Sequence, residues 1–216
     1  MNCKLSAPRR LYTVPLPNHG ELRLGERVLV MGILNVTPDS FAESSSRTDP
    51  AAAVDFALQM EAEGADLIDI GGESTRPGAE PVTLEEELAR VLPVLRGLAG
   101  RLRIPVSIDT YKAEVARAAI DAGAALVNDV SGLLYDPALA RVVADGGAAL
   151  VLMHTRGRPA TMYAEAVYKD LVAEIAAELR GGIARAGPSA FGGFDVDLSF
   201  GRDGTAPGRR DRRSRR

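Results

Sequence analysis

The residues able to do chemistry in this chain gather at the ends of short apolar runs. The run Val28 to Asn35 leads into Asn35-Val-Thr-Pro-Asp-Ser-Phe41. The Asn35 amide oxygen is a hard donor able to hold Mg²⁺ or one of its waters, and Asp39 can add charge or orient a substrate. The same residues would also make an ordinary Asx/Pro turn that ends a strand. A second run closes in Gly71-Gly-Glu-Ser-Thr-Arg-Pro-Gly78. Its two glycines free the backbone to approach a ligand, while Thr75 and Arg76 offer a hydroxyl and a planar fork suited to phosphate or carboxylate. The alternative is a polar loop with a surface arginine. Two further runs deliver Asp109-Thr110 and Asn128-Asp129. A carboxylate that accepts two N–H bonds, beside an amide that donates and accepts, matches a flat amino-oxo heterocycle, although either residue alone would serve equally as a helix cap.

Other polar residues point to structural roles. Asp66 and Asp69, with Glu73, have the makings of a carboxylate cage. The expectation is instead that strand alternation turns both aspartates away from Leu67 and Ile68, which leaves them to structural pairing. His154 ends a fifth run and is read as a hydrogen-bonded structural group rather than a catalytic one. Neither Ser40 nor Ser74 has a base placed beside it, so no Ser/His/Asp arrangement and no covalent catalysis is indicated.

The elements that must position these residues alternate. Strands are predicted over Val28–Asn35, Asp66–Gly71, Pro105–Thr110, Ala124–Val130 and Ala148–His154, each a near-continuous apolar run of the kind buried on both faces. Helices are predicted between and after them. Pro50–Gly64 has Asp49 as N-cap and Val54, Leu58 and Ala62 on its apolar face, and Thr83–Arg103 opens on the capping box Thr83-Leu-Glu-Glu86. Tyr111–Gly123, Asp136–Gly146 and Glu165–Gly187 complete the set. Leu11–Leu16 and Glu21–Leu24, joined by a turn over Pro17–Gly20, read as a β-hairpin capping one end of the sheet. Five βα units with polar strand ends, and no Gly-rich dinucleotide fingerprint after the first, point to an α/β fold of the TIM (β/α)8 type, incomplete at about five units.

Composition excludes several classes. The chain has 216 residues, 46% apolar and 25% charged, the balance of a globular domain. Its longest purely apolar run, Ala148–Met153, is far below the roughly 18 residues needed to span a bilayer. The single cysteine, Cys3, cannot close an internal disulfide, and with two His it cannot build a Cys/His metal cluster. A cytoplasmic protein with no membrane partner is the expectation. Net charge is −3, but residues 202–216 hold seven Arg and two Asp, which leaves an acidic body with no field for nucleic acid.

Taken together, Met31-Gly-Ile-Leu-Asn-Val-Thr-Pro-Asp-Ser-Phe41 and Ile68-Asp-Ile-Gly-Gly-Glu-Ser-Thr-Arg-Pro-Gly78 resemble the two signature segments of the dihydropteroate synthase family. Ser107-Ile-Asp-Thr110, Val127-Asn-Asp-Val-Ser-Gly132 and Leu152-Met-His154 stand in that family's order, so the resemblance covers about residues 11–187. It implies a TIM barrel that condenses p-aminobenzoate with 6-hydroxymethyl-7,8-dihydropterin pyrophosphate, using Mg²⁺ and forming a homodimer at full family length. By the same resemblance Asn35 would hold Mg²⁺ and pyrophosphate. Asp39 would belong to a mobile loop over the p-aminobenzoate site, Thr75 and Arg76 to a second mobile loop, and Asp109 and Asn128 would hydrogen-bond the pterin ring. The implied reaction needs no protein nucleophile: pyrophosphate leaves and the aryl amine captures the resulting methylene cation.

After Ala186 the family's later motifs, an Asp-Pro-Gly segment, a pterin-contacting Lys and an Arg-x-His, are not found. The expected organisation is a barrel domain over 1–187 and an Arg-rich, disordered tail over 188–216, with one two-faced strand conceivable over Phe194–Phe200. The change in composition reads as a shifted frame or a truncation rather than a second domain. Little synthase activity is expected of the chain as written, and an inactive product of a synthase gene is the alternative to an active enzyme. A pterin-binding methyltransferase is a third reading. It would share the Asp and Asn but not both Asn35–Phe41 and Glu73–Gly78.

Overall fold

A computed structural model describes residues 10–37, 49–74, 79–158, 161 and 166–190. The hairpin comes first, β1 (Tyr12–Leu16) antiparallel to β2 (Gly20–Leu24). Five parallel strands follow: β3 (Met31–Asn35), β4 (Leu67–Gly71), β5 (Val106–Asp109), β6 (Leu126–Asp129) and β7 (Ala149–Leu152). They lie side by side in chain order in one sheet. A helix follows each: α1 (Pro50–Ala62), α2 (Leu84–Leu98), α3 (Ala113–Asp121), α4 (Leu139–Gly146) and α5 (Leu171–Ala190), the last interrupted at Gly187, whose φ is 71°. This is part of a (β/α)8 barrel wall, as the five repeated units require. No helix among the described residues is long and apolar enough to cross a membrane.

Local chemistry sets the helix starts. Asp49 Oδ1 accepts from the Ala51 N–H at 3.0 Å with Pro50 in the first turn, and Thr83 Oγ1 accepts from the Glu86 N–H at 3.2 Å. Asp136 serves two helices, accepting from the Ala113 N–H at 2.8 Å and the Ala138 N–H at 3.0 Å. The buried face of α1 is Ala53, Val54 and Ala57, whereas Ala62 is exposed.

The strands are shorter than the apolar runs that predict them. β3 starts at Met31 because the Asp66 carboxylate takes the Val30 N–H at 2.8 Å and pairs with Arg27, which ends the ladder below that point. Val28 and Val30 are therefore exposed.

Alternation along each strand separates two faces. Leu34, Ile68, Ile70, Val106, Ile108 and Val127 pack against the helices in the main core. Residues of the opposite parity face the barrel lumen, where Leu67 and Leu126 meet Leu16 of the hairpin. The hairpin thus packs over the amino-terminal end of the sheet, the capping position expected of it. Higher in the lumen Ile33 is 63% exposed.

Candidate active site

Strand register brings the lumen-facing polar residues into one row. Asn35 pairs with Gly71, Gly71 with Asp109, and Asp109 with Asn128. These are carboxyl-terminal strand positions, where a barrel presents its chemistry. A Cβ on Gly71 would stand 3.3 Å from Asn35 Oδ1 and 3.5 Å from Asp109 Oδ2, so the missing side chain is what lets the two oxygens converge. Gly72 has a different reason. A Cβ there would lie 2.8 Å from Val91 Cγ1 and 3.0 Å from Glu87 Cγ, so close packing on α2 requires glycine rather than the ligand approach expected of it.

Asp69 overturns its sequence reading. It sits three residues after Asp66, so the two cannot share a face; it shares one with Leu67 and Gly71 and points into the lumen. Only 4% exposed, it accepts from Asn128 Nδ2 at 2.9 Å. Asp66, by contrast, does pair structurally, with Arg27. Barrel shear explains the reach across β5, because each lumen layer is built from alternate strands and so joins β4 to β6.

The row is electrostatically loaded. Burial pushes the Asp109 carboxyl up to about 7, with Asp69, Glu87, Asp129 and Glu73 adding to the rise. Burial also raises Asp69, against opposing hydrogen bonds from Ser107 and Asn128. Asp109 Oδ1 is buried with no hydrogen-bond partner among the described residues. A carboxyl in that condition takes up a proton or meets donors on a ligand.

Contacts from Tyr111 and Lys112 hold the loop that follows β4. Glu73, 6% exposed, accepts from Tyr111 Oη at 2.7 Å and pairs with Lys112, which also pairs with Glu87, 1% exposed. Burial works against the Lys112 charge, but the two glutamates outweigh it and hold its pKa above the ordinary value. Burial and Glu73 push Tyr111 up to about 12. Asp129 is structural: its carboxylate accepts from the N–H groups of Ser131 at 2.8 Å and Leu133 at 2.6 Å.

His154 Nε2 meets Glu178 Oε2 at 2.7 Å, in line with a structural role. A cavity of about 400 Å³ beside it, between β7, the loop after β6 and α5, is lined by Ser131, Met153, His154, Arg156 and Arg185. Arg156 is paired with Glu174 and Glu178, and Arg185 donates to the Gly132 carbonyl at 2.8 Å. The cavity therefore offers little unmatched charge, and Asp109 and Asn128 do not line it. Among the described residues no cluster of three His, Cys, Asp or Glu could hold a metal by itself. Asp39, Thr75, Arg76, most of both expected mobile loops and the segment Phe194–Phe200 lie outside the described residues.

Comparison with known proteins decides the family. A profile described as pterin binding enzyme matches residues 31–201. The chain belongs to the pterin-binding enzyme family. Among relatives of this chain, a dihydropteroate synthase of Synechocystis is 50% identical over 151 residues, which are 70% of this chain and 52% of that protein. A Xanthomonas albilineans dihydropteroate synthase solved with 4-aminobenzoic acid is 45% identical with a TM-score of 0.72, covering 82% of this chain and 63% of that one. The Burkholderia cenocepacia enzyme complexed with 7,8-dihydropteroate is 42% identical with a TM-score of 0.66, covering 84% and 62%. The chain spans about half the length of the bacterial curated relatives it matches.

Proposed function

We propose that this chain carries the pterin-binding part of a dihydropteroate synthase, the transferase of folate synthesis that joins p-aminobenzoate to 6-hydroxymethyl-7,8-dihydropterin pyrophosphate. The observation that carries the reading is the register row Asn35, Gly71, Asp109, Asn128 at the carboxyl ends of adjacent strands. Asp109 and Asn128 hold the pterin edge, supplying acceptors that burial has stripped of water. Thr75 and Arg76 serve the anionic substrate groups, and Asp39 belongs to the p-aminobenzoate side.

Mg²⁺ fits the row. The space over Gly71 is bounded by two hard oxygens, Asn35 Oδ1 and Asp109 Oδ2, and Mg²⁺ commonly takes few protein ligands and completes its shell with water and substrate phosphate. Asn35 would hold it, and when bound it would neutralise charge on the departing pyrophosphate. The chain's own residues bind and orient: with no nucleophile among them, their contribution is to place the pterin methylene and the aryl amine in line and to exclude water.

The test is a fluorescence titration of the 216-residue protein with the pterin pyrophosphate and Mg²⁺. Saturable binding is expected, weakened by Asp109→Ala and by Asn128→Ala. Losing a hydrogen bond to a charged group costs about 1.5–3 kcal/mol, roughly tenfold to hundredfold in affinity. A wild-type protein that binds no pterin, or variants that bind as the wild type does, would overturn the proposal.

A further inference from the structure

Asp69 touches the site through another residue. Its Oδ2 lies 2.9 Å from Asn128 Nδ2. With that oxygen accepting, the contact fixes the orientation of the amide, with the NH₂ towards Asp69 and the carbonyl oxygen at the opposite corner. No described group donates a hydrogen bond to that oxygen. Asp69 itself is 4% exposed and held on a strand, the kind of rigid support that fixes a neighbour's rotamer. What remains facing the lumen is the acceptor Asn128 Oδ1, beside the Asp109 carboxyl, whose Oδ1 has no hydrogen-bond partner.

We propose that Asp69 is a positioning residue that locks the Asn128 amide with its oxygen towards the ligand, and that this lock makes the pocket select heterocycles with an amino group, rather than a carbonyl, between two ring nitrogens. The inference rests on the pterin reading given above and deepens it. A 2-amino-4-oxo ring presents N–H donors along that edge. Its 2-oxo counterpart puts a carbonyl in place of the amino group, and an acceptor facing acceptors loses a hydrogen bond and leaves both partners desolvated and unpaired. Without the lock the amide turns over and offers its NH₂ to the carbonyl, so discrimination is lost while shape is kept.

Asp69→Asn tests this at constant volume, because an amide pairs with Asn128 in either orientation. Two ligands are titrated by fluorescence: 6-hydroxymethylpterin and the 2-oxo analogue of the same ring. The wild-type protein is expected to prefer the 2-amino compound by tenfold or more, and Asp69→Asn to narrow the preference to threefold or less, largely through a gain for the 2-oxo compound. A preference unchanged in Asp69→Asn overturns the lock while leaving the pterin reading intact. A wild-type protein that binds neither ring overturns the pterin reading and the selectivity drawn from it. The lock itself is read without ligand from the side-chain amide signals of ¹⁵N-labelled protein, with Asn128→Ser identifying the Asn128 pair. Those protons are expected to exchange with water at least tenfold more slowly than exposed Asn amides in the wild type, and to lose that protection in Asp69→Asn. Fast exchange in the folded wild type overturns the proposal even if Asp69→Asn does not fold.

Discussion

Replacing Asp109 by Asn isolates the energetic consequence of burying a carboxyl among carboxylates. In the folded chain the group is pushed up to about 7, from an ordinary value of 3.8, by burial first and then by Asp69, Glu87, Asp129 and Glu73. The folded state therefore holds this proton more tightly than the unfolded one. The stabilisation it gives is complete below the ordinary value and is lost as pH rises through about 7. Between pH 5 and pH 8 the loss covers about two pH units at about 1.36 kcal/mol each, or roughly 2.7 kcal/mol. Asparagine keeps the shape and carries no charge at either pH. Its missing acceptor affects both conditions equally and cancels in the comparison. Thermal unfolding of both proteins at the two pH values, without ligand or metal, gives the double difference directly. For a chain of this size 1 kcal/mol shifts Tm by about 2–4 °C. Asp109→Asn should thus gain roughly 5–10 °C on the wild type in going from pH 5 to pH 8. A gap between the two proteins that stays constant across this range would refute the account of Asp109 as a buried, proton-holding carboxyl.

Two further substitutions probe the shell around that row. Lys112→Met removes the cation shared by Glu73 and Glu87 and leaves two buried carboxylates facing each other; urea unfolding at pH 7 should show a loss of about 3–5 kcal/mol, and a loss under 1 kcal/mol would mean the network is solvated in practice. Gly71→Ala places a methyl 3.3 Å from Asn35 Oδ1. Stability should change by about 1–3 kcal/mol at most, while the gain in pterin pyrophosphate affinity conferred by Mg²⁺ should fall roughly tenfold. An undiminished Mg²⁺ effect would remove Asn35 from the metal's coordination.

Asn35, Asp109 and Asn128 were legible in the sequence because each is the polar tip of its own apolar run, and in a parallel barrel such tips share one end by topology alone. Helix starts were legible for a similar reason, since Asp49 and Thr83 act on N–H groups two or three residues away. What the sequence could not supply were partners set by shear and side-chain reach across separate strands and helices. Nothing in the residues beside Lys112 indicates that its side chain is 19% exposed between glutamates from the β4 loop and from α2. Gly72 reads like its neighbour, until the distance to Val91 shows that α2 rather than the lumen excludes a side chain. Asp69 is the instructive case, because its parity was available. Residues 67, 69 and 71 alternate with Ile68 and Ile70, and both isoleucines lie in the helix-facing core, so a buried aspartate of odd parity had to face the lumen. Which lumen group it would meet was a separate matter. It depends on the barrel's stagger, which joins alternate strands into a layer, and no periodicity within a single strand encodes that offset.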